Sequence, residues 1–572
     1  MLVTKKPRNI LHNVYKRILL YYIYYFDFLF MQLDLDLHSL NEFPSLCKPN
    51  LHQEIRESIV SFWFELTRKT DDADLIILSD RLHTILLTIK GQISGACDAE
   101  SNPYFQYLDL LYKLIAYTRD IVLGKGERKL TYMMIYTWYK VFPILAVYAI
   151  EQLNMPISDG SSTFGCWKDI KYLCYYIAEN SCSGADDPLI ETCIEIANRQ
   201  LNKDIGCSNI STVSKWIPRE NSQFGWLFEK MAIQWAHMHY PRLLLSPNTE
   251  LQYSLALNKA KMLYRRTLSA LNADLDTVEI KQCAGKMDDI IPASVPIVAT
   301  LRKKRTFVKH GKQFKQYYQD LLYDFSSSNK SKYPVYNYVK QALDKQILGN
   351  SGLIDKQWSQ MCESIPKMDN FIPLVNMSHN MSQTALYNAM GLGLLIALRS
   401  TGRIMAVNQV PSWLNVGHDD RIFTSMIQSL ASHCDATTAN YIGAFEMIIE
   451  SIIKTKMPAN AIGDLTVVIL SDFSNVSDDF HSKIKDLFAM AGYNHMPHII
   501  YWNLSETTNT VDLTHLGNGA TFLSGSSISI LRYFVFMESG LWKSFDSFNT
   551  ILHIVHHPRY KSMSELLLKI IG

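Results

Sequence analysis

Residues 371–382 read FIPLVNMSHNMS and run straight into QTALYNAMGLGLLIALR at 383–399. An apolar run of strand length, a short polar loop and an apolar helix containing small residues form the opening of a βαβ unit. Further along the chain, 403–410 (RIMAVNQV), 465–470 (LTVVIL), 498–504 (HIIYWNL) and 520–524 (ATFLS) are also short and apolar, several of them β-branched. Helical stretches at 383–399, 420–433, 441–455, 478–491 and 527–538 separate them. This alternation predicts a doubly wound α/β domain over 370–572, with a mostly parallel sheet covered by helices on both faces. Ligand chemistry in such sheets sits in the loops at the carboxyl ends of the strands. The loop NMSHNMS is the first of these.

Upstream, residues 52–350 read as one helix after another. Tyr107, Leu108, Leu110, Leu111, Leu114 and Ile115 fall at i, i+3, i+4 and i+7 spacing. Residues 130–152 are apolar nearly all round, which predicts a buried helix pair broken or kinked at Pro143. Loops at 155–164, 181–188 and 202–211 punctuate the helices. The pattern predicts an α-helical repeat array, although no fixed period names a standard repeat. Residues 351–369 are expected to be a linker. Residues 1–51 form an N-terminal extension, basic at Lys5, Lys6, Arg8, Lys16 and Arg17 and then apolar and Tyr-rich from Ile18 to Met31. That apolar run is about 14 residues and contains Asp27, whereas a membrane span needs about 20. A poorly ordered or packed extension is the favoured reading, a signal anchor the minor alternative, and Met31 offers an alternative start.

Composition sets outer bounds. At 572 residues, 48% hydrophobic and 19% charged, the chain is neither disordered nor fibrous, and its length fits several domains. A formal charge of +2 excludes a strongly polybasic or polyacidic protein but permits local basic faces. Ten cysteines lie scattered from Cys47 to Cys434 with no CxxC pair, a pattern of reduced thiols. The expected location is intracellular, in the cytoplasm.

The loop after the first strand resembles the metal-ion-dependent adhesion site of von Willebrand factor A domains. That family's loop is Asp-x-Ser-x-Ser, completed by a Thr from a second loop and an Asp from a third. Here Asn376 stands at the first acidic position, Ser378 is retained, and Asn380 replaces the second Ser. In the second loop, DATTANYIGAF, Ala439 takes the Thr position and Thr438 lies one residue away. The third position is kept as Asp472. Mg²⁺ dehydrates reluctantly and demands near-ideal geometry, so this degenerate set is expected to hold it weakly or not at all. The favoured reading is that Asn376 and Asn380 hydrogen-bond the turn backbone and cap the following helix.

The resemblance extends along the chain. TRDIVLGKGERKL at 118–130, GCWKDIKYL at 165–173 and SKWIPRE at 214–220 resemble, in order, the landmarks of an uncharacterised family, domain of unknown function 2828. YRRTLSALNADLDTVE at 264–279, IIPASVPIVA at 290–299, STGRIMAV at 400–407, PHIIYWNL and FLSGSS continue the match. The family occurs in fungi, plants, bacteria and large DNA viruses, and the chain looks like a viral member. The resemblance implies a TROVE-like helical domain followed by a von Willebrand A-like domain. That combination is similar to Ro-type ribonucleoproteins, whose helical ring binds structured and single-stranded RNA.

Several local signals remain. GKGER at 124–128 lacks phosphate-loop spacing and lies between helices; a solvated turn is the favoured reading, with Lys125 and Arg128 as candidate phosphate contacts. The strongest basic run is LRKKRTFVKHGKQFKQYY at 301–318. Arg302, Lys303, Lys304 and Arg305 are its leading RNA-contact candidates, and Phe307, Phe314, Tyr317 and Tyr318 could stack on bases. The alternative turns the aromatics to the core and leaves the charges as a wet face. His553, His556 and His557, with His495 and His498, read as structural or surface residues, and Cys166 and Cys174 have no evident base partner. Two non-enzymatic classes remain open: an RNA-binding or ribonucleoprotein scaffold, and a protein-interaction adaptor working through the von Willebrand A-like domain. No cofactor is expected, and a membrane partner is disfavoured.

Overall fold

The computed structural model describes residues 51–93, 102–156, 162–292, 295, 299, 303–323, 334–344, 351–417, 422–434, 438–473, 479–508, 519–536, 543 and 546–571. The apolar run at Ile18–Met31 lies outside them, as does Arg302; the side chains of Lys304 and Arg305 do too. The chain divides into two compact units, Met1–Glu54 and Ile55–Gly572. Only the last four residues of the first unit are described; they open the helix Leu51–Glu65. No helix among the described residues is long and apolar enough to cross a membrane.

The second unit is a helical region followed by an α/β region with a six-stranded sheet. The strands are β1 (Phe371–Asn376), β2 (Arg403–Val407), β3 (Ser412–Asn415), β4 (Thr466–Ser471), β5 (His498–Asn503) and β6 (Ala520–Ser524). They lie in the order β3-β2-β1-β4-β5-β6, all parallel except the edge strand β3. Strands β1, β4, β5 and β6 are buried at every residue, as expected where helices cover both faces of a parallel sheet. Strand order reverses between β1 and β4, which places the crevice of the doubly wound layout at their carboxyl ends. Pro373 is tolerated in the central β1 because it lies one residue ahead of the point where pairing with β2 begins, at Leu374.

The helix Gln383–Arg399 starts where the Ser382 hydroxyl accepts the Ala385 N–H, so Ser382 rather than Asn380 supplies the cap. Its two glycines are packing residues. A Cβ on Gly391 would come within 2.2 Å of Val335 Cγ1, and one on Gly393 within 2.3 Å of Val375 Cγ2. The helix can therefore lie close on β1 on one side and on the helix Val335–Leu343 on the other.

Two segments depart from the sequence reading. Residues 351–369, expected as linker, carry the helix Ser351–Glu363. Its Ile354, Trp358, Met361 and Cys362 are buried, and Trp358 stacks on Phe423 with ring centroids 4.0 Å apart. The turn-rich GNSG at 349–352, whose last two residues open the helix, conceals an i, i+4 apolar face. The second departure is β3, a four-residue strand (SWLN) with no alternation to mark it.

Past the sheet, the helices Ser547–Val555 and Lys561–Ile571 return to pack on the helix Pro103–Arg119. The carboxyl ends of β5 and β6 are covered by the helical region. Trp63 Nε1 donates to the Phe522 carbonyl (3.0 Å), Asn503 Nδ2 to the Phe64 carbonyl (2.8 Å), and Thr67 Oγ1 to the Ser505 carbonyl (2.5 Å). The Phe64 ring sits between Phe473 and Phe522, at 5.7 and 5.2 Å. This end of the sheet is filled by the chain itself.

Candidate functional site

The crevice at the carboxyl ends of β1 and β4 is where the degenerate loop is found. Register pairs Val375 with Leu470, so Asn376 and Ser471 end neighbouring strands. The Asn376 amide donates to Ser471 Oγ (3.0 Å), while its oxygen accepts the Ser378 N–H (2.9 Å). Ser471 Oγ also accepts from the Tyr441 hydroxyl (2.6 Å) and lies 3.4 Å from Asp472 Oδ1. Asn376, Ser378 and Asp472 are thus joined through one short series of hydrogen bonds. The first two are buried, and Asp472 is half-buried. Phe473 follows in the left-handed region, at φ 56°, and turns the chain away from the strand end.

Asn380 is exposed and stands outside that series of bonds. In the second loop Ala439 is half-buried and Thr438 exposed, while Asn440 accepts the Gly443 N–H and caps the helix Tyr441–Lys454. Tyr441 and Ser471 complete the cluster, and sequence reasoning missed both. In the sequence Ser471 is visible only as the neighbour of Asp472 in LSD, and Tyr441 as the residue after a cap. Burial pushes the Tyr441 hydroxyl well above its ordinary pKa, so it remains a proton donor. Both ends of the Asn376 amide are engaged by protein, which leaves Asp472 as the one carboxylate of the cluster among the described residues. Among those residues no group of three or more His, Cys, Asp or Glu could hold a metal ion.

The candidate RNA residues divide sharply. Lys125 is a correction: it is 6% exposed, and its ammonium donates to the Leu66 carbonyl (2.7 Å) and Ser524 Oγ (2.5 Å), 4.2 Å from the Trp63 ring centroid. Burial pushes its pKa well below the lysine norm. An amine so enclosed presents nothing to a phosphate. GKGER is therefore a structural turn rather than a solvated one. A Cβ at Gly124 would sit 1.9 Å from the Tyr117 carbonyl oxygen, and Gly126 adopts φ +72°. Arg128 is half-exposed and lies 3.5 Å from Asp169.

Beside that turn lies a second buried ionic group. Arg119 and Asp169 pair at 2.8 Å, both side chains 3% exposed, and Asp169 also accepts from the Tyr132 hydroxyl (2.7 Å) and the Cys166 N–H (2.8 Å). The segments 118–130 and 165–173 are thus clasped to each other. Burial raises the Cys166 thiol pKa, which makes it inert rather than nucleophilic.

In the basic run, Phe307 and Phe314 are fully buried and stack face to face at 4.2 Å against Ile290 and Val295. They cannot stack on bases, which corrects that part of the RNA reading. Lys303 is half-buried, bonded to Gln282 (3.1 Å) and 3.7 Å from Glu279. Lys309, Lys312 and Lys315 are exposed. Among the histidines, His498 is buried at the start of β5 against Thr521 Oγ1 (2.8 Å), and burial pushes its pKa down to about 3. His556 bonds the Leu552 carbonyl and His557 accepts the Arg559 N–H, both local roles.

Lys69 gives a pH prediction. It is 5% exposed, donates to the Thr507 carbonyl (2.6 Å), and burial pushes its pKa down to about 8. The unfolded chain keeps that proton to about pH 10.4, so between the two values the unfolded state binds more protons and stability rises with pH. Relative to Lys69→Met, the parent should gain about 1.4 kcal/mol per pH unit above pH 8. Urea titrations of both proteins at pH 7.5 and 9.5 check it; a pH-independent difference would show that Lys69 ionises normally.

Residues 370–554 match the model of a family described as a domain of unknown function, DUF7788; the matched range spans all six strands. Over 521 residues, 82% of this chain and 83% of the relative, the chain is 23% identical to a protein described as uncharacterized protein L728 of Acanthamoeba polyphaga mimivirus. No solved structure matches the chain.

Proposed function

We propose that the chain is a non-enzymatic RNA-binding scaffold of ribonucleoprotein type, a TROVE-like helical region joined to a von Willebrand A-like domain, of the viral kind within domain of unknown function 2828. The observation that carries the RNA reading is the surface of the helices Lys304–His310 and Lys312–Tyr323. There Lys309, Lys312 and Lys315 are exposed and, among the described residues, outside every ion pair, on a base locked by the buried Phe307–Phe314 stack. By contrast, the cations around GKGER are engaged: Arg68 with Glu127, Lys129 with Asp72, Arg119 with Asp169. Exposed lysines of this kind, on two helices joined by that stack, suit phosphate neutralisation, which is sequence-tolerant and salt-dependent. Because the two phenylalanines are internal, binding should come mainly from the phosphate backbone.

Filter binding of single-stranded RNA across a salt series tests this. Replacing Lys309, Lys312 and Lys315 by Gln should weaken binding for all sequences and flatten the salt slope by roughly 0.7 for each phosphate no longer neutralised. Stability should shift by only about 0.5 kcal/mol. No RNA affinity of the parent at low salt would end this reading.

A second reading, a protein adaptor acting through the von Willebrand A-like domain, is favoured by the β1/β4 end of the sheet, where Asn380 is exposed and Asp472 half-buried. In either reading the loop is a degenerate adhesion site. Its Asn376 amide is turned into hydrogen bonds with Ser378 and Ser471, and a donor set with one carboxylate does not suit Mg²⁺.

A further inference from the structure

We propose that an open groove in the helical region, remote in sequence from both the basic run and the β1/β4 loops, is a docking site for an acidic amphipathic helix of a partner protein. The groove has a volume of about 510 Å³ and is lined by Tyr240, Pro241, Arg242, Leu243, Lys259 and Leu263. Its walls are the short helix Pro241–Leu245 and the long helix Glu250–Leu275. Ala256 and Ala260 of the long helix pack with Leu244 of the short one and with Ala236, so the two walls are held together by a small buried cluster.

The two wall helices also carry exposed leucines. Leu245 is 74% exposed, Leu251 73% and Leu255 62%. Leu251, Leu255, Lys259 and Leu263 recur every four residues and so share one face of their helix. Single exposed leucines are ordinary, but a cluster of them beside a groove marks an interaction surface.

Charge selects the occupant. Arg242 and Lys259 are exposed and, among the described residues, outside every ion pair, and none of the six lining residues is acidic. Further along the same helix, two cations are matched: Lys261 meets Glu229 and Glu220, and Arg265 meets Glu220. An apolar trough with two such cations complements a helix that carries leucines on one face and carboxylates beside them. A second copy in two-fold contact through this groove would bring a second pair of the same cations and no carboxylate from its lining. A flat anionic bilayer would meet the rims of a concave groove and leave its floor empty.

The test uses the full chain and a fluorescein-labelled synthetic helix of about 18 residues, five turns, with Leu at i, i+3, i+4 and i+7 and Glu elsewhere. A counterpart carries Lys in place of Glu. By anisotropy the Glu peptide should bind at least about tenfold tighter than the Lys peptide. The double variant Leu251→Ser with Leu255→Ser should weaken it by about tenfold or more. The variant Arg242→Glu with Lys259→Glu should reverse the preference, with circular dichroism unchanged in both. The proposal is overturned if neither peptide binds, or if both bind equally and charge reversal changes nothing. It is also overturned if sedimentation shows that the leucines instead support self-association or binding to phosphatidylserine vesicles. None of these outcomes depends on whether the chain binds RNA.

Discussion

Asp120→Ala should destabilise the protein by about 3–5 kcal/mol, the cost of stripping one partner from a buried ion pair. The Asp120 carboxylate is fully buried and Arg559 is 6% exposed. Asp120 accepts Arg559 Nε at 2.7 Å and Nη2 at 3.0 Å, the Tyr560 hydroxyl at 3.1 Å, and the backbone N–H groups of Val122 and Leu123. Removing it leaves a guanidinium without its counter-charge in a site closed to water, and leaves the turn before GKGER without its acceptor. Arg559→Leu should cost a similar amount. The double variant should cost clearly less than the sum, because the second change removes the orphan left by the first. Urea denaturation of the four proteins measures the coupling. Because 439 positions separate the two residues, the pair holds the end of the chain to the helical region. A loss under about 1 kcal/mol for Asp120→Ala would mean the two are not joined in this way.

Gly124→Ala should be comparably damaging although it adds one methyl group. The new Cβ would lie 1.9 Å from the Tyr117 carbonyl oxygen and 2.8 Å from that of Asp120, both backbone atoms that cannot swing aside. Overpacking costs typically about 1–3 kcal/mol and occasionally more; a clash with backbone belongs at the upper end, about 3 kcal/mol. The displaced turn also carries Lys125, and its Gly124 carbonyl accepts from Ser527 (2.7 Å) and Ser529 (3.1 Å). Gly91→Ala is the internal control. Gly91 sits in the helix Asp72–Ile93, and an added methyl group there would meet nothing within 4 Å, so alanine should stabilise by about 0.5–1 kcal/mol. Thermal melts should move in opposite directions for the two variants; equal shifts would show that the Gly124 turn tolerates a side chain.

The sheet was largely legible because its signal is local. FIPLV, LTVVIL, HIIYWNL and ATFLS are buried on both faces, and continuous apolar runs between helices have few other readings. The strand β3 escaped because SWLN at a sheet edge is only four residues long, without alternation, and holds just two apolar residues, Trp413 and Leu414. The helix Ser351–Glu363 escaped because its turn-rich start outweighed its apolar face. In the loop cluster, Asn376, Ser378 and Asp472 could be aligned by strand ends alone, whereas Tyr441 and Ser471 join through side-chain geometry that spacing does not encode.

Lys125 shows the limit more clearly. In the sequence it is a cation in a glycine-rich turn, indistinguishable from a surface residue. Only the packing of β6 against Trp63 and Leu66 makes it a buried donor. The basic run carries the same lesson in reverse. Phe307 and Phe314 interspersed with Lys309, Lys312 and Lys315 fit both a stacking surface and an amphipathic helix pair, and burial of the two phenylalanines selects the second.

The most direct measurement of the RNA-scaffold reading is ultraviolet crosslinking of the full chain to single-stranded RNA, followed by mass-spectrometric mapping of the adducts. Crosslinked peptides are expected within 303–317, lost when Lys309, Lys312 and Lys315 are replaced by Gln, with none at 124–128, where Lys125 is enclosed. Adducts confined to other surfaces, or no adducts at low salt, would contradict it.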